Sequence, residues 1–121
     1  MDVVNLQDKL DQFDERWSPR IVGALNGQHV KVAKLEGAFD WHHHADADEL
    51  FLVLDGTLTI QLRDKADVHL TNGEFCVVPR GTEHRPVADA GTAHVLLFEP
   101  AGTRNTGPRD TEKTVSDPDW I

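Results

Sequence analysis

The chain of 121 residues predicts an all-β fold, a sandwich or a closed barrel. Short apolar, β-prone runs recur at close spacing between Ile21 and Glu99. Turn-forming pairs separate several of them: Asn26-Gly27, Asp55-Gly56 and Asn72-Gly73. No helical pattern alternates with these runs, which argues against a doubly wound sheet.

The elements follow in order. Val3, Leu6, Leu10, Phe13 and Trp17 recur at three- and four-residue steps, one apolar stripe of a helix. Asn5 is placed to cap it, with Asp8 three residues on. Pro19 restricts the residue before it, so the helical segment spans residues 1–18. Ile21–Leu25 and His29–Leu35 form a hairpin across Asn26-Gly27. Strands are then expected at Phe39–His44, Leu50–Leu54, Thr57–Leu62 (joined to its predecessor by Asp55-Gly56), Val68–Leu70, Phe75–Val78, His84–Ala88 and His94–Glu99. Roughly eight to ten short strands of this kind build a sandwich or barrel over residues 20–99. Residues 100–121, rich in Pro, Gly, Thr, Asp and Arg, read as an extended tail anchored by Trp120 and Ile121. One domain is expected for the whole chain.

The formal charge of −9 would repel phosphate backbones and anionic lipid, so nucleic acid and membranes are not the expected partners. The lone cysteine, Cys76, lies in the apolar run Phe75-Cys76-Val77-Val78 and reads as a core residue. The first sixteen residues are strongly charged and no apolar run reaches membrane-spanning length, so the expected location is cytoplasmic.

The chemistry concentrates at four residues. His42 and His44 flank His43, and in an extended strand residues i and i+2 share a face. Two imidazoles can therefore aim at one point while His43 turns away. Glu49 lies five positions past His44, and His84 follows far downstream in Pro79-Arg80-Gly81-Thr82-Glu83-His84. Three nitrogen donors and one oxygen donor suit a divalent transition metal: Fe(II), Mn(II), Ni(II), Co(II) or Zn(II). If Glu49 faces inward, Phe51 and Val53 do too, and Leu50, Leu52 and Leu54 face out. A two-residue turn at Asp55-Gly56 would then pair Leu54 with Thr57 and point Leu58, Ile60 and Leu62 inward. The exposed leucines call for a cover, and a homodimer is one expected form of it.

These residues resemble the two sequence motifs of the cupin superfamily. The first reads Gly37, four residues, His42-His43-His44, four residues, Glu49, six residues, Gly56. The second reads Gly73, five residues, Pro79-Arg80-Gly81, two residues, His84, three residues, Ala88. The spacer after Gly37 is one residue short of the family pattern, and Ala88 stands where the pattern has Asn. The resemblance implies a double-stranded β-helix, a small jelly-roll barrel, with a metal bound by His42, His44, Glu49 and His84.

Other candidates are weaker. Arg85 or Arg80 could meet an anionic substrate, though a solvated arginine is the simpler reading. His94 and Phe51 are pocket candidates. Phe39, Phe51 and Phe75 otherwise read as core. Asp40 could reach the pocket mouth, whereas Asp48, His29 and His69 read as surface groups. The chain is expected to be a small-molecule metalloenzyme, either dioxygenase-like or a non-redox isomerase or lyase. The alternative is a metal-dependent binding or sensing module. No residue outside the ligand set stands out as a catalytic base, leaving the metal centre itself, with Glu49, as the catalytic candidate.

Overall fold

The computed structural model describes residues 1–121. It contains one short helix, α1 (Leu6–Leu10), and seven strands: β1 (Arg20–Leu25), β2 (Gln28–Ala38), β3 (Glu49–Asp55), β4 (Thr57–Leu62), β5 (Lys65–Thr71), β6 (Phe75–Val78) and β7 (His84–Pro100). Every strand pairing is antiparallel. The order β1-β2-β7-β3-β6 makes one face, while β4 pairs with β5 and β7. The architecture is a jelly roll.

The long strand β7 produces that shape. Its first part pairs with β4, Leu62 opposite His84 and Thr59 opposite Val87. Its second part pairs with β3, Leu50 opposite Phe98 and Val53 opposite Val95. The change of partner falls where the β2 register slips between Leu35 and Gly37 and where Gly91 takes φ +96°. Bulged, glycine-bearing strands bend in this way and carry a chain from one sheet to the other. The runs His84–Ala88 and His94–Glu99, expected as two strands, are thus one, and seven strands replace the expected eight to ten.

Alternation holds inside the strands. Phe51 and Val53 are buried and Leu50, Leu52 and Leu54 lie on the opposite face. Leu58 and Ile60 point inward as expected, and Leu62 is half-buried. They do so without the expected hairpin, because β3 and β4 do not pair and the chain crosses between sheets at Asp55-Gly56. The main core joins twelve buried residues, including Leu35, Phe51, Val53, Leu58, Ile60 and Val95. Fully burying side chains of this size stabilises by about 1.5–3 kcal/mol each before chain entropy is counted. The hairpin at Asn26-Gly27 forms as expected, with both residues at positive φ and Leu25 opposite Gln28.

The helix is much shorter than its apolar stripe. The Asn5 side chain accepts from the Asp8 backbone N–H at 3.0 Å, so the N-cap is as expected, but α1 stops at Leu10. Leu10 and Phe13 still pack on Val22 and Val32, outside the barrel. Trp17 takes φ +59°, with its backbone N–H donating to Lys34 and its indole N–H to the Glu36 carbonyl. Backbone and indole bonds to β2 replace the helical ladder. Phe39–His44 is also not a strand: only His42 bridges to His84. In the tail, Ile121 is the better anchor. Ile21 and Ile121 exchange backbone bonds with the ends of each other's segments, and Ile121 packs against the outer cluster, while Trp120 remains 58 % exposed beside His29.

Candidate metal centre

Three stretches of chain meet inside the barrel. His42 and His44 come from the loop after β2, Glu49 opens β3, and His84 opens β7. All four are buried: His42 at 2 %, His44 at 7 %, Glu49 at 4 % and His84 at 0 % exposure. One donor atom from each lies within 4.8 Å of all the others. Donors about 2.0–2.2 Å from a common ion would be at most about 4.4 Å apart, so a small contraction closes the set on a cation.

The backbone sets the ring orientation. His42 Nδ1 lies 2.9 Å from the Asp40 carbonyl oxygen, and His84 Nδ1 lies 2.8 Å from that of Thr82. A carbonyl only accepts, so each Nδ1 carries the proton, and Nε2 is left with its lone pair facing the centre. His44 Nε2 is 3.3 Å and His84 Nε2 is 3.5 Å from Glu49 Oε1. These same three atoms are buried without a hydrogen-bond partner. Lone-pair atoms facing one another in a dry site are costly unless a proton or a cation lies between them. The residues present therefore fit a metal ion.

Protonation agrees with that reading. Burial, reinforced by the charge of His84, lowers the His42 pKa from 6.5 to about 4, so its ring is neutral near pH 7. Burial pushes the Glu49 carboxyl up, but the close approach of Glu99, His44 and His84 outweighs it and holds Glu49 well below the usual carboxylate range. Glu99 is displaced the other way, raised well above that range by burial and by the neighbouring Glu49 charge, against the pull of Lys31. Lys31 Nζ donates to Glu99 Oε1 at 2.8 Å, both side chains being 2 % exposed. This buried Lys31–Glu99 pair behind Glu49 was missed in the sequence. Strand parity pointed to it, since Lys31 shares the inward face with Ala33 and Leu35, and Glu99 with Val95 and Leu97.

A cavity of about 30 Å³ opens beside the cluster. His42, Glu49 and Asn105 are its polar wall, while Trp17, Leu35, Phe39, Phe51, Pro86 and Leu97 supply most of the rest. Phe51 lines this cavity. His94 does not: it lies on the outward face of β7 with Leu96 and Phe98, opposite Val95 and Leu97. Arg85 also points out of the barrel, donating to Gln61 Oε1 at 2.9 Å and lying over the Trp41 ring. Arg80 is exposed, and its backbone N–H is capped by Asp48. Phe75 is 61 % exposed, not core, because β6 is an edge strand and its register with Leu52 turns Phe75 outward. His43 faces solvent beside Glu83 at 3.4 Å. Burial and the Glu49 charge push the half-buried Cys76 thiol up, consistent with a packing role. Trp17 and Asn105 enter the cavity wall from the two chain ends, which no local pattern revealed.

The family model described as a cupin domain matches residues 28–99. The chain belongs to the cupin family. This cupin is 37 % identical over 93 residues to the uncharacterized protein YdbB of Bacillus subtilis (strain 168), a match spanning 77 % of this chain and 82 % of that protein. It superposes on a cupin-2 domain containing protein of Shewanella frigidimarina with TM-score 0.78 and 43 % identity, covering 81 % of this chain and 94 % of that one. A Neisseria meningitidis protein gives TM-score 0.75 at 27 % identity, covering 83 % of this cupin and 100 % of that chain. The one helix, α1, is not long and apolar enough to cross a membrane.

Proposed function

We propose that this cupin is a small-molecule metalloenzyme whose divalent metal is held by His42, His44, Glu49 and His84. The observation that carries the reading is the convergence of the partnerless His44 Nε2, His84 Nε2 and Glu49 Oε1 in a buried site. Mixed imidazole and carboxylate ligation suits Fe(II), Mn(II), Ni(II), Co(II) or Zn(II). When bound, such an ion supplies a Lewis acid and open positions for oxygen donors of a substrate.

The protein's own contribution is to bind and orient. Asp40 and Thr82 hold two rings in the ligating tautomer, and the Lys31–Glu99 pair stands behind Glu49. The apolar wall favours a small, largely apolar substrate and excludes water from the reacting atoms. No ionisable side chain lines the cavity besides His42 and Glu49, both assigned as ligands. An isomerase or lyase needs a base free to move a proton, so an oxygenase-type reaction is the better fit. The test is metal analysis of untagged protein, followed by turnover of a panel of vicinal-oxygen substrates with each metal, with and without dioxygen. Turnover independent of oxygen would move the assignment to the isomerase or lyase class. Stoichiometric ligand binding without turnover would make the protein a binding or sensing module.

We also infer that the protein forms a homodimer through the outer face of the β2-β7-β3-β6 sheet. Two rows of apolar residues cross it, Val30-Phe98-Leu50-Val77 and Val32-Leu96-Leu52-Phe75. The α1 side of this face is covered by Leu10 and Phe13, whereas Phe75 and Val77 stay exposed at 61 % and 50 %.

A further inference from the structure

Residues 41–44 carry two of the four assigned ligands yet belong to no strand. Their backbone is held by separate contacts. His42 exchanges two bonds with His84, at 2.9 and 3.0 Å, and the His44 carbonyl accepts from Gly81 N–H at 2.8 Å. The remaining two holds come from the C-terminal tail. Arg109 Nη1 donates to the Trp41 carbonyl at 2.7 Å. Gly107, at φ +64°, sits against the His43 backbone so closely that a Cβ there would collide with the His43 carbonyl oxygen and lie 3.1 Å from its carbon.

The tail is itself a closed unit. Asn105 Nδ2 donates to the Lys113 carbonyl and Asn105 Oδ1 accepts from Val115 N–H, each at 2.8 Å. Thr106, fully buried, donates through Oγ1 to the Arg109 carbonyl at 2.7 Å. Lys113 lies 3.7 Å from Asp40, the residue whose carbonyl orients His42. The tail itself lies outside residues 28–99, the part of the chain matched by the cupin family.

We propose that residues 104–115 form a clamp that seats the ligand-bearing segment 41–44, with Gly107 and Arg109 as its positioning residues. The clamp acts on the backbone of Trp41 and His43, which flank His42, and so sets where His42 and His44 point. Without it the segment keeps only its bonds to His84 and Gly81, and the two imidazoles lose a fixed direction. The proposal rests on the metal reading above.

Chelator-stripped protein titrated with Co(II) tests it, following visible absorption for geometry and affinity, with thermal unfolding of the metal-free protein alongside. Groups that orient ligands are worth roughly 10–100-fold in metal affinity. Gly107→Ala and Arg109→Ala should each weaken Co(II) binding by about that range and alter the absorption band. Arg109→Ala should do so with metal-free unfolding little changed, whereas Gly107→Ala, which clashes with the His43 backbone, should also lower metal-free stability. Arg109→Lys, which keeps a donor, should recover most of the affinity. If Gly107→Ala fails to fold, the exposed Arg109 pair of variants decides. Wild-type affinity and spectrum in Arg109→Ala would overturn the clamp and leave the metal reading standing. Wild-type protein that takes up no Co(II) would overturn both.

Discussion

At the scale of single residues, the decisive feature is lone pairs without partners. His44 Nε2, His84 Nε2 and Glu49 Oε1 face one another in a buried space, and an arrangement of this kind is costly unless a proton or a cation completes it. The double variant His42→Ala with His84→Ala should lose stoichiometric metal, as read by elemental analysis; full retention would refute the ligand set. A second prediction concerns pH. His42 has its pKa lowered from 6.5 to about 4 by burial, so between these values the unfolded chain binds the proton that the folded chain refuses. Stability from this group therefore falls as pH drops from 6.5 to 4. Glu99, shifted upward, works oppositely above the ordinary carboxylate range, so the His42 contribution must be isolated. Metal-free wild type compared with His42→Gln by urea unfolding should lose ground steadily over that window. A third prediction concerns Lys31: Lys31→Met would leave Glu99 beside Glu49 as a buried carboxyl without its donor and should cost about 1–3 kcal/mol, with Lys31→Met plus Glu99→Leu recovering much of it. The four ligand candidates were legible in the sequence because their chemistry has few other uses. Lys31 and Glu99 were not, because a charged residue in a strand normally faces water, and only its pairing partner across β2 and β7 makes the inward position tolerable.

At the scale of elements, what the chain does depends on which partner takes its hydrogen bonds. The stripe from Val3 to Trp17 has helical spacing, yet β2 offers two carbonyl acceptors, Lys34 for the Trp17 backbone N–H and Glu36 for its indole N–H, and the helix yields after Leu10. The Asp55-Gly56 pair has hairpin chemistry but serves a sheet crossing, since β7 rather than β4 claims β3. Gly56 shows why glycine is needed there. Its φ is +100°, and a Cβ would lie 3.1 Å from the Thr92 carbonyl oxygen and 3.2 Å from the Ala93 Cα, both backbone atoms. Gly56→Ala should therefore destabilise by about 2–4 kcal/mol, combining a strained backbone with a clash. Gly73→Ala, at φ +80° but in open space, should cost only the conformational part, about 1–2 kcal/mol. Equal losses in denaturant unfolding would remove the steric account of Gly56.

At the scale of the whole molecule, the jelly roll has two kinds of surface. Its interior carries the candidate metal centre and the apolar cavity. Its outer sheet face carries Leu50, Leu52, Leu96, Phe98, Phe75 and Val77 with no charged residue among them. A specific dimer needs about 800 Å² and roughly 20–30 residues per partner, so these two rows would be the centre of the interface and not the whole of it, and the short edge strand β6 would be covered by it. Leu52→Glu should shift the protein from dimer to monomer in analytical ultracentrifugation while leaving metal content unchanged. A monomeric wild type would end the dimer reading.

Composition, turn chemistry and the placement of three histidines and one glutamate were enough to determine an all-β chain of cupin type and the residues of its candidate centre. Those features are local: a turn pair needs only its own backbone, and a ligand type is chosen by what it can donate. The tertiary structure decided the rest. It merged His84–Pro100 into one strand serving two sheets, buried Lys31 against Glu99, and brought Trp17 and Asn105 from opposite chain ends to one cavity. Contacts between distant segments settled each of these, because a buried polar or aromatic group goes where a partner waits, and spacing along a chain carries no record of where that partner lies.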